Sequence, residues 1–280
     1  NYDETANVDD GSCCIELWGE CYNIEQTTEL YLRWSNLEGE IPSQIGFLDN
    51  LEKLFLLGNN LTGSIPQEIG NLTKLTYLEF TDNNLTGEIP TSIGNLTELD
   101  EFYAYNNQLS GEIPSSIGNL VNLNILQLDH NQLSGQISSS IGNLTSLYNL
   151  RLNNNQLIGD LPEEFYNLIN IETLYLHNNF FSGSVNEQIC SFDGINSPYD
   201  SIKLENNNFC RPYPGCLDQN QIGNQNVSAC PNETILVPDN FTTIQEAIDY
   251  SIDGDTILLS SGTYYENYFY IYKGVTIIGE

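Results

Sequence analysis

LEKLFLLGNNLTGSIPQEIGNL, residues 51–72, decides the fold, because its pattern recurs along the chain at a fixed spacing of 24 residues. Its anchor Leu54 has counterparts at Leu30, Leu78, Phe102, Leu126, Leu150 and Leu174, and Leu56 has them at Leu32, Phe80, Ala104, Leu128, Leu152 and Leu176. A unit this short cannot bury its own apolar face and does so against its neighbours, so a strict period of this length implies a solenoid.

Each repeating column has a physical reason. The apolar-x-apolar pair is half of a short strand with both side chains turned inward. Asn59, Asn83, Asn107, Asn131, Asn155 and Asn179 follow where the chain leaves the strand, and their amides are suited to bonding neighbouring backbone, which predicts an Asn ladder. Gly39, Gly63, Gly87, Gly111, Gly135, Gly159 and Gly183 mark a bend, and the Ile-Pro pairs from Ile41-Pro42 to Ile113-Pro114 send an apolar group inward while fixing the backbone.

The combined pattern L-x-x-L-x-L-x-x-N-x-L-x-G-x-I-P-x-x-I-G-N-L resembles the plant-type leucine-rich repeat. The resemblance covers about residues 28–209 and implies an α/β solenoid, a horseshoe or superhelix of about eight repeats. The eighth copy (Ile202, Leu204, Asn207, Phe209) is displaced by four residues by an insertion between Cys190 and Ser201. Ser35 stands for the first Asn, Ser138 and Asn186 for Pro, and Tyr166 and Cys190 for Gly.

The seven cysteines cluster at the two ends of the array, where a solenoid exposes its core and needs covering. Disulfides there imply an oxidising compartment, hence an extracellular or cell-surface location. CCIELWGEC from Cys13 is similar to the N-terminal cap of the same family, which implies that Cys14 pairs with Cys21 and leaves Cys13 for a partner further upstream. The preceding NYDETANVDDGSC resembles a short module of secreted bacterial proteins. At the rear, Cys190, Cys210, Cys216 and Cys230 allow three pairings. With no Met and no visible signal peptide, the sequence reads as an excerpt of a longer precursor.

The domains expected are 1–27 for the N-terminal segment and cap, 28–209 for the repeats, 210–232 for a Cys-rich cap or linker, and 233–280 for a second domain. In the last, Ile235–Val237 reads as a strand and Thr243 with Glu246 has capping-box spacing ahead of a helix. Strands are expected at Thr256–Ser260, near Tyr264–Tyr272 and at Val275–Ile278. This segment resembles the opening of right-handed parallel β-helices of the pectin lyase and pectinesterase kind, whose catalytic residues lie on later coils. No catalytic residue is assigned in this chain.

Seven Lys and Arg against 38 Asp and Glu give a net charge of −31, which argues against nucleic acid or an anionic membrane as partner. No run of about 18 apolar residues suggests a membrane span. Neither cofactor nor metal is expected: the Cys clusters lack a C-x-x-C pair, and the two histidines, His130 and His177, read as solvent-exposed bystanders. Sequons at Asn60, Asn71, Asn84, Asn95 and Asn143 follow from the repeat consensus.

Function is expected on the strand-lined concave face, about 34 Å long at about 4.8 Å per strand. Its outward columns read Tyr31, Phe55, Glu79, Tyr103, Gln127, Arg151, Tyr175, Lys203 and Arg33, Leu57, Thr81, Tyr105, Asp129, Asn153, His177, Glu205, bordered by Trp34 and Tyr77. Enrichment in aromatic residues and Arg is typical of a binding hot spot, which selects Tyr31, Arg33, Trp34, Phe55, Leu57, Tyr77, Tyr103, Tyr105, Arg151, Tyr175 and His177 as ligand-binding candidates. Arg33, Lys53, Arg151 and Lys203 on this face hint at an acidic ligand group. The expected function is recognition or adhesion toward an extracellular protein or polysaccharide. The alternative is the targeting region of a secreted polysaccharide-acting enzyme. On this reading, Ser at Tyr31, Phe55, Tyr103 and Tyr105 removes binding without affecting stability.

Overall fold

A computed structural model describes residues 14–197, 201–266 and 268–279. Eight short strands, from Glu29–Tyr31 to Ile202–Lys203, form one parallel sheet in sequence order. Leu30 lies beside Leu54, and Leu54 beside Leu78, so residues one period apart are lateral neighbours. A second parallel sheet, from Thr86–Gly87 to Phe180–Phe181, forms another side of the coil, and 3-10 turns such as Ser115–Asn119 form a third. Between them runs a continuous apolar core from Ile15 to Ile222. It is filled by the inward Leu and Ile of every coil and by the fully buried Phe80, Phe102 and Phe165.

Backbone groups that leave the strands inside this core require partners, and the Asn column supplies them. Asn131 Oδ1 accepts from Leu109 N–H of the preceding coil at 3.0 Å, while its Nδ2 donates to Ala104 O, Leu128 O and Asp129 O at 2.9, 3.1 and 3.3 Å. Asn83, Asn107, Asn155, Asn179 and Asn207 repeat the arrangement. Where Ser138 and Asn186 replace Pro, their side chains accept from Ser140 N–H and Gln188 N–H and cap the following 3-10 turn.

Both ends of the array are covered. A hairpin, Cys14–Leu17 with Glu20–Asn23, is crosslinked by Cys14–Cys21 and puts Leu17 into the core. The pairing expected for Cys13 lies outside the described residues. At the rear the structure selects Cys190–Cys216 and Cys210–Cys230 from the three alternatives. The cap helix Gln219–Ile222 starts on Asp218, with a full capping box to Gln221. The insertion after Cys190 begins with a 3-10 turn, Asp193–Asn196.

The C-terminal segment has its own small core of Ile235, Val237, Ile244, Ala247, Ile248 and Ile257. Strands Thr234–Val237, Thr256–Leu259 and Thr276–Gly279 pair in parallel, residue for residue, around the helix Ile244–Tyr250. Thr243 and Glu246 form the expected capping box. Glu266 adds acceptors for Ile244 N–H and Gln245 N–H at 2.6 and 3.3 Å. The strand expected near Tyr264–Tyr272 does not form among the described residues. Side-chain contacts hold that segment instead. The Tyr264 hydroxyl lies 2.9 Å from Val237 O and 2.7 Å from Ser260 O, and the Tyr272 hydroxyl donates to Asp249.

Candidate recognition face

The concave sheet face divides into two halves of different chemistry. In the first four coils the aromatic rings contact one another: Tyr31 on Phe55 at 4.4 Å between centroids, Phe55 on Tyr77 at 4.5 Å, and Tyr77 on Tyr103 at 5.5 Å. The file steps sideways at Tyr77 because the third coil carries Glu79 in the central column. Glu79 is buried and accepts from Arg33 Nε at 2.7 Å, two coils away. Arg33 also donates to the Tyr77 hydroxyl at 3.1 Å and lies over Phe55, 4.4 Å from the ring centre. Burial, with Glu79 second, pushes the Tyr77 phenol up to about 12. Tyr103 moves the same way, through burial and its hydrogen bond to Glu101.

This geometry corrects the expectation of an open aromatic surface. Phe55 is only 6% exposed, enclosed by Tyr31, Tyr77 and the Arg33 guanidinium. Leu57, Tyr77, Tyr103 and Tyr105 are half-buried, while Tyr31 and Trp34 stand out at 62% and 66%. Dispensability of all four aromatics is therefore replaced by a graded expectation. Phe55→Ser should lower stability by about 3 kcal/mol, whereas Tyr105→Ser should cost under about 1 kcal/mol; urea midpoints of the two variants check the ranking.

The last four strands of the sheet gather polar groups instead. The Arg151 guanidinium lies 4.9 Å and Lys203 Nζ 5.5 Å from the centre of the Tyr175 ring, so two cations converge on one aromatic from its two neighbouring coils. His177 packs edge-on against Tyr175, with centroids 5.7 Å apart, and burial pulls its imidazole below the usual histidine range. Asp129 Oδ1, Arg151 Nε, Asn153 Oδ1, His177 Nδ1 and Glu205 Oε2 are buried without a hydrogen bond to the described residues. Of the four cations expected to meet an acidic ligand, Arg33 is committed to Glu79 and Lys53 to Glu29 at 2.8 Å. Arg151 and Lys203 are the cations of the rear half of the face, and both lie against Tyr175. His130 is exposed, with its Nδ1 2.8 Å from Asp129 and its Nε2 3.1 Å from Asn154.

Glu79 and Glu29 were missed as partners, since neither stands out in a list of apolar and basic residues. The available signal was column position. Glu79 is the one acid in the central outward column, and a carboxylate enclosed by aromatics requires a cation in reach.

The Leucine Rich Repeat family model matches residues 50–72, 74–96, 98–120, 122–144, 146–168 and 170–192. No curated protein matches the chain by sequence. Among solved structures, the ectodomain of the Arabidopsis thaliana receptor kinase GASSHO1/SCHENGEN3, in complex with CASPARIAN STRIP INTEGRITY FACTOR 2, is 34% identical with a TM-score of 0.60, over 82% of this chain and 24% of that one. The Arabidopsis receptor kinase HAESA, in complex with the peptide hormone IDA and a co-receptor, is 27% identical with a TM-score of 0.59, over 81% of this chain and 38% of that one. A plant ice-binding protein is 26% identical with a TM-score of 0.52, over 69% of this chain and 70% of that one. The chain thus spans well under half the length of these two receptor ectodomains.

Proposed function

Given a chain that is a leucine-rich repeat protein, we propose that it is an extracellular recognition module whose concave face binds a peptide or protein ligand carrying an acidic group. The observation that carries this reading is the convergence of Arg151 and Lys203 on Tyr175, beside buried polar atoms that make no hydrogen bond to the described residues. Two receptors of similar fold are described in complex with a peptide hormone or an integrity factor, which supports a ligand of that class here. The crosslinked caps at both ends fit an oxidising exterior.

We read the repeats as eight coils, followed by the opening turns of a parallel β-helix. The second part rests on the one-for-one register of three parallel strands and on the helix packed against them.

The test is a phage-displayed peptide library panned against the immobilised full chain. Selected peptides should be rich in Asp and Glu, and Arg151→Ala with Tyr175→Ser should weaken their binding at least about tenfold in a chain that still unfolds cooperatively. Failure to select any peptide, or equal binding by the double variant, would overturn the reading.

A further inference from the structure

The first coil carries a second, differently built feature. The residue four positions beyond each strand anchor adopts a left-handed backbone, and after the first strand it is Gly58, Asp82, Asn106, His130, Asn154, Asn178 and Asn206, at φ between 53° and 69°. These residue types tolerate that region, whereas a bulky side chain there is strained. In the first coil the position is held by Trp34, at φ 54° and 66% exposed. Backbone strain at a residue whose indole is largely exposed is a pointer to function.

The indole is also held in place. A Cβ added at Gly58 would fall 2.2 Å from its ring carbons, so one ring face lies directly on the glycine of the next coil. Tyr31, on the same coil, has one face stacked on Phe55 at an interplanar angle of 10° and is 62% exposed. Glu29–Tyr31 is the terminal strand of its sheet among the described residues, so no further strand of that sheet pairs on its outer side. The two residues are three positions apart, at most about 11 Å along the chain. The result is two fixed aromatic surfaces, each backed by the second coil.

Around them the charges cancel locally. Arg33 is paired with Glu79 and Lys53 with Glu29, so the two cations beside the rings are neutralised while their polar groups can still bond hydroxyls. Protein hot spots lie in desolvated pockets at the centre of an interface, and this pair sits on an outer rim. A pyranose ring offers an apolar C–H face bordered by hydroxyls, matching flat aromatic faces bordered by neutralised ion pairs. We propose that Tyr31 and Trp34 form a platform for a neutral pyranose oligosaccharide, separate from the peptide face at Arg151 and Tyr175.

The test titrates the full chain with cellohexaose, xylohexaose and mannohexaose, and with hexagalacturonate as the acidic comparison, following tryptophan fluorescence and calorimetric heat. At least one neutral hexamer should bind and perturb the emission, with hexagalacturonate weaker. Trp34→Asn, which restores the residue type of the later coils, should weaken binding at least about tenfold while melting no lower than the parent chain. Arg151→Ala should leave sugar binding unchanged, so this site stands or falls apart from the peptide face. Absence of binding to every neutral hexamer, tighter binding of hexagalacturonate, unchanged affinity in Trp34→Asn, or a clearly lower melting temperature for that variant would each overturn the proposal.

Discussion

Replacing Asn131 by Leu should destabilise the array by roughly 4 kcal/mol although the side chain changes little in volume. The amide closes four contacts in a water-free place: Leu109 N–H donates to it, and it donates to three carbonyls, those of Ala104, Leu128 and Asp129. Asn131 is 9% exposed, so the groups it releases cannot turn to solvent, and each buried orphan costs about 1 to 3 kcal/mol. Leu is the informative replacement because it fills the space that a smaller residue would leave to water. The control is Asn106→Gly in the neighbouring left-handed column. Asn106 is exposed and donates to Asp82 at 2.7 Å, and its loss should change stability by less than about 1 kcal/mol. Urea midpoints for both variants, with hydrogen exchange at Leu109 N–H, give the comparison. A loss below about 1 kcal/mol in Asn131→Leu would show that the ladder is ornamental.

The same ladder shows how far the sequence could be read. A period of 24 residues puts positions such as Asn107 and Asn131 side by side, so the inward Leu columns and the Asn contacts were legible, as was the gathering of cysteines at the two ends. What escaped depends on diagonals and on curvature. The Arg33 to Glu79 bond spans 46 residues and two coils, and no single column contains it. Phe55 was placed on the outward face correctly, yet its neighbours close over it, because rings at strand spacing stack on one another and hide their faces. The C-terminal segment, with no period to lean on, yielded its helix and capping box but not the irregular path around Tyr264. Trp34 was flagged as an aromatic bordering the outward columns; its left-handed backbone was legible in principle from the Gly, Asp, Asn and His of the later coils.

Gly118→Ala should be more damaging than its one methyl group suggests, costing at least about 3 kcal/mol and splitting unfolding into two steps. Gly118 ends a 3-10 turn pressed against the next coil, where an added Cβ would lie 2.3 Å from Ser140 O and 2.7 Å from Ser140 Cβ. Ser140 is itself held by its hydroxyl bond to Ser115 O at 2.7 Å, so neither coil can withdraw alone. The methyl must therefore part the two coils, and in a solenoid each coil is stabilised only by the ones beside it. Gly87→Ala separates this clash from backbone strain. Gly87 has φ 73° but meets only Ser64 Cβ at 3.4 Å, so its cost should stay near about 1 kcal/mol. Tyr166 shows why the clash is one of spacing: two coils beyond Gly118 a large side chain occupies the equivalent position, and its hydroxyl accepts from Asn186 N–H at 3.0 Å in the coil that follows. Two transitions in thermal melts of Gly118→Ala, with proteolysis beginning between residues 118 and 140, are the expected signature. A single transition at the parent midpoint would mean that the coils slide past each other more freely than their packing implies.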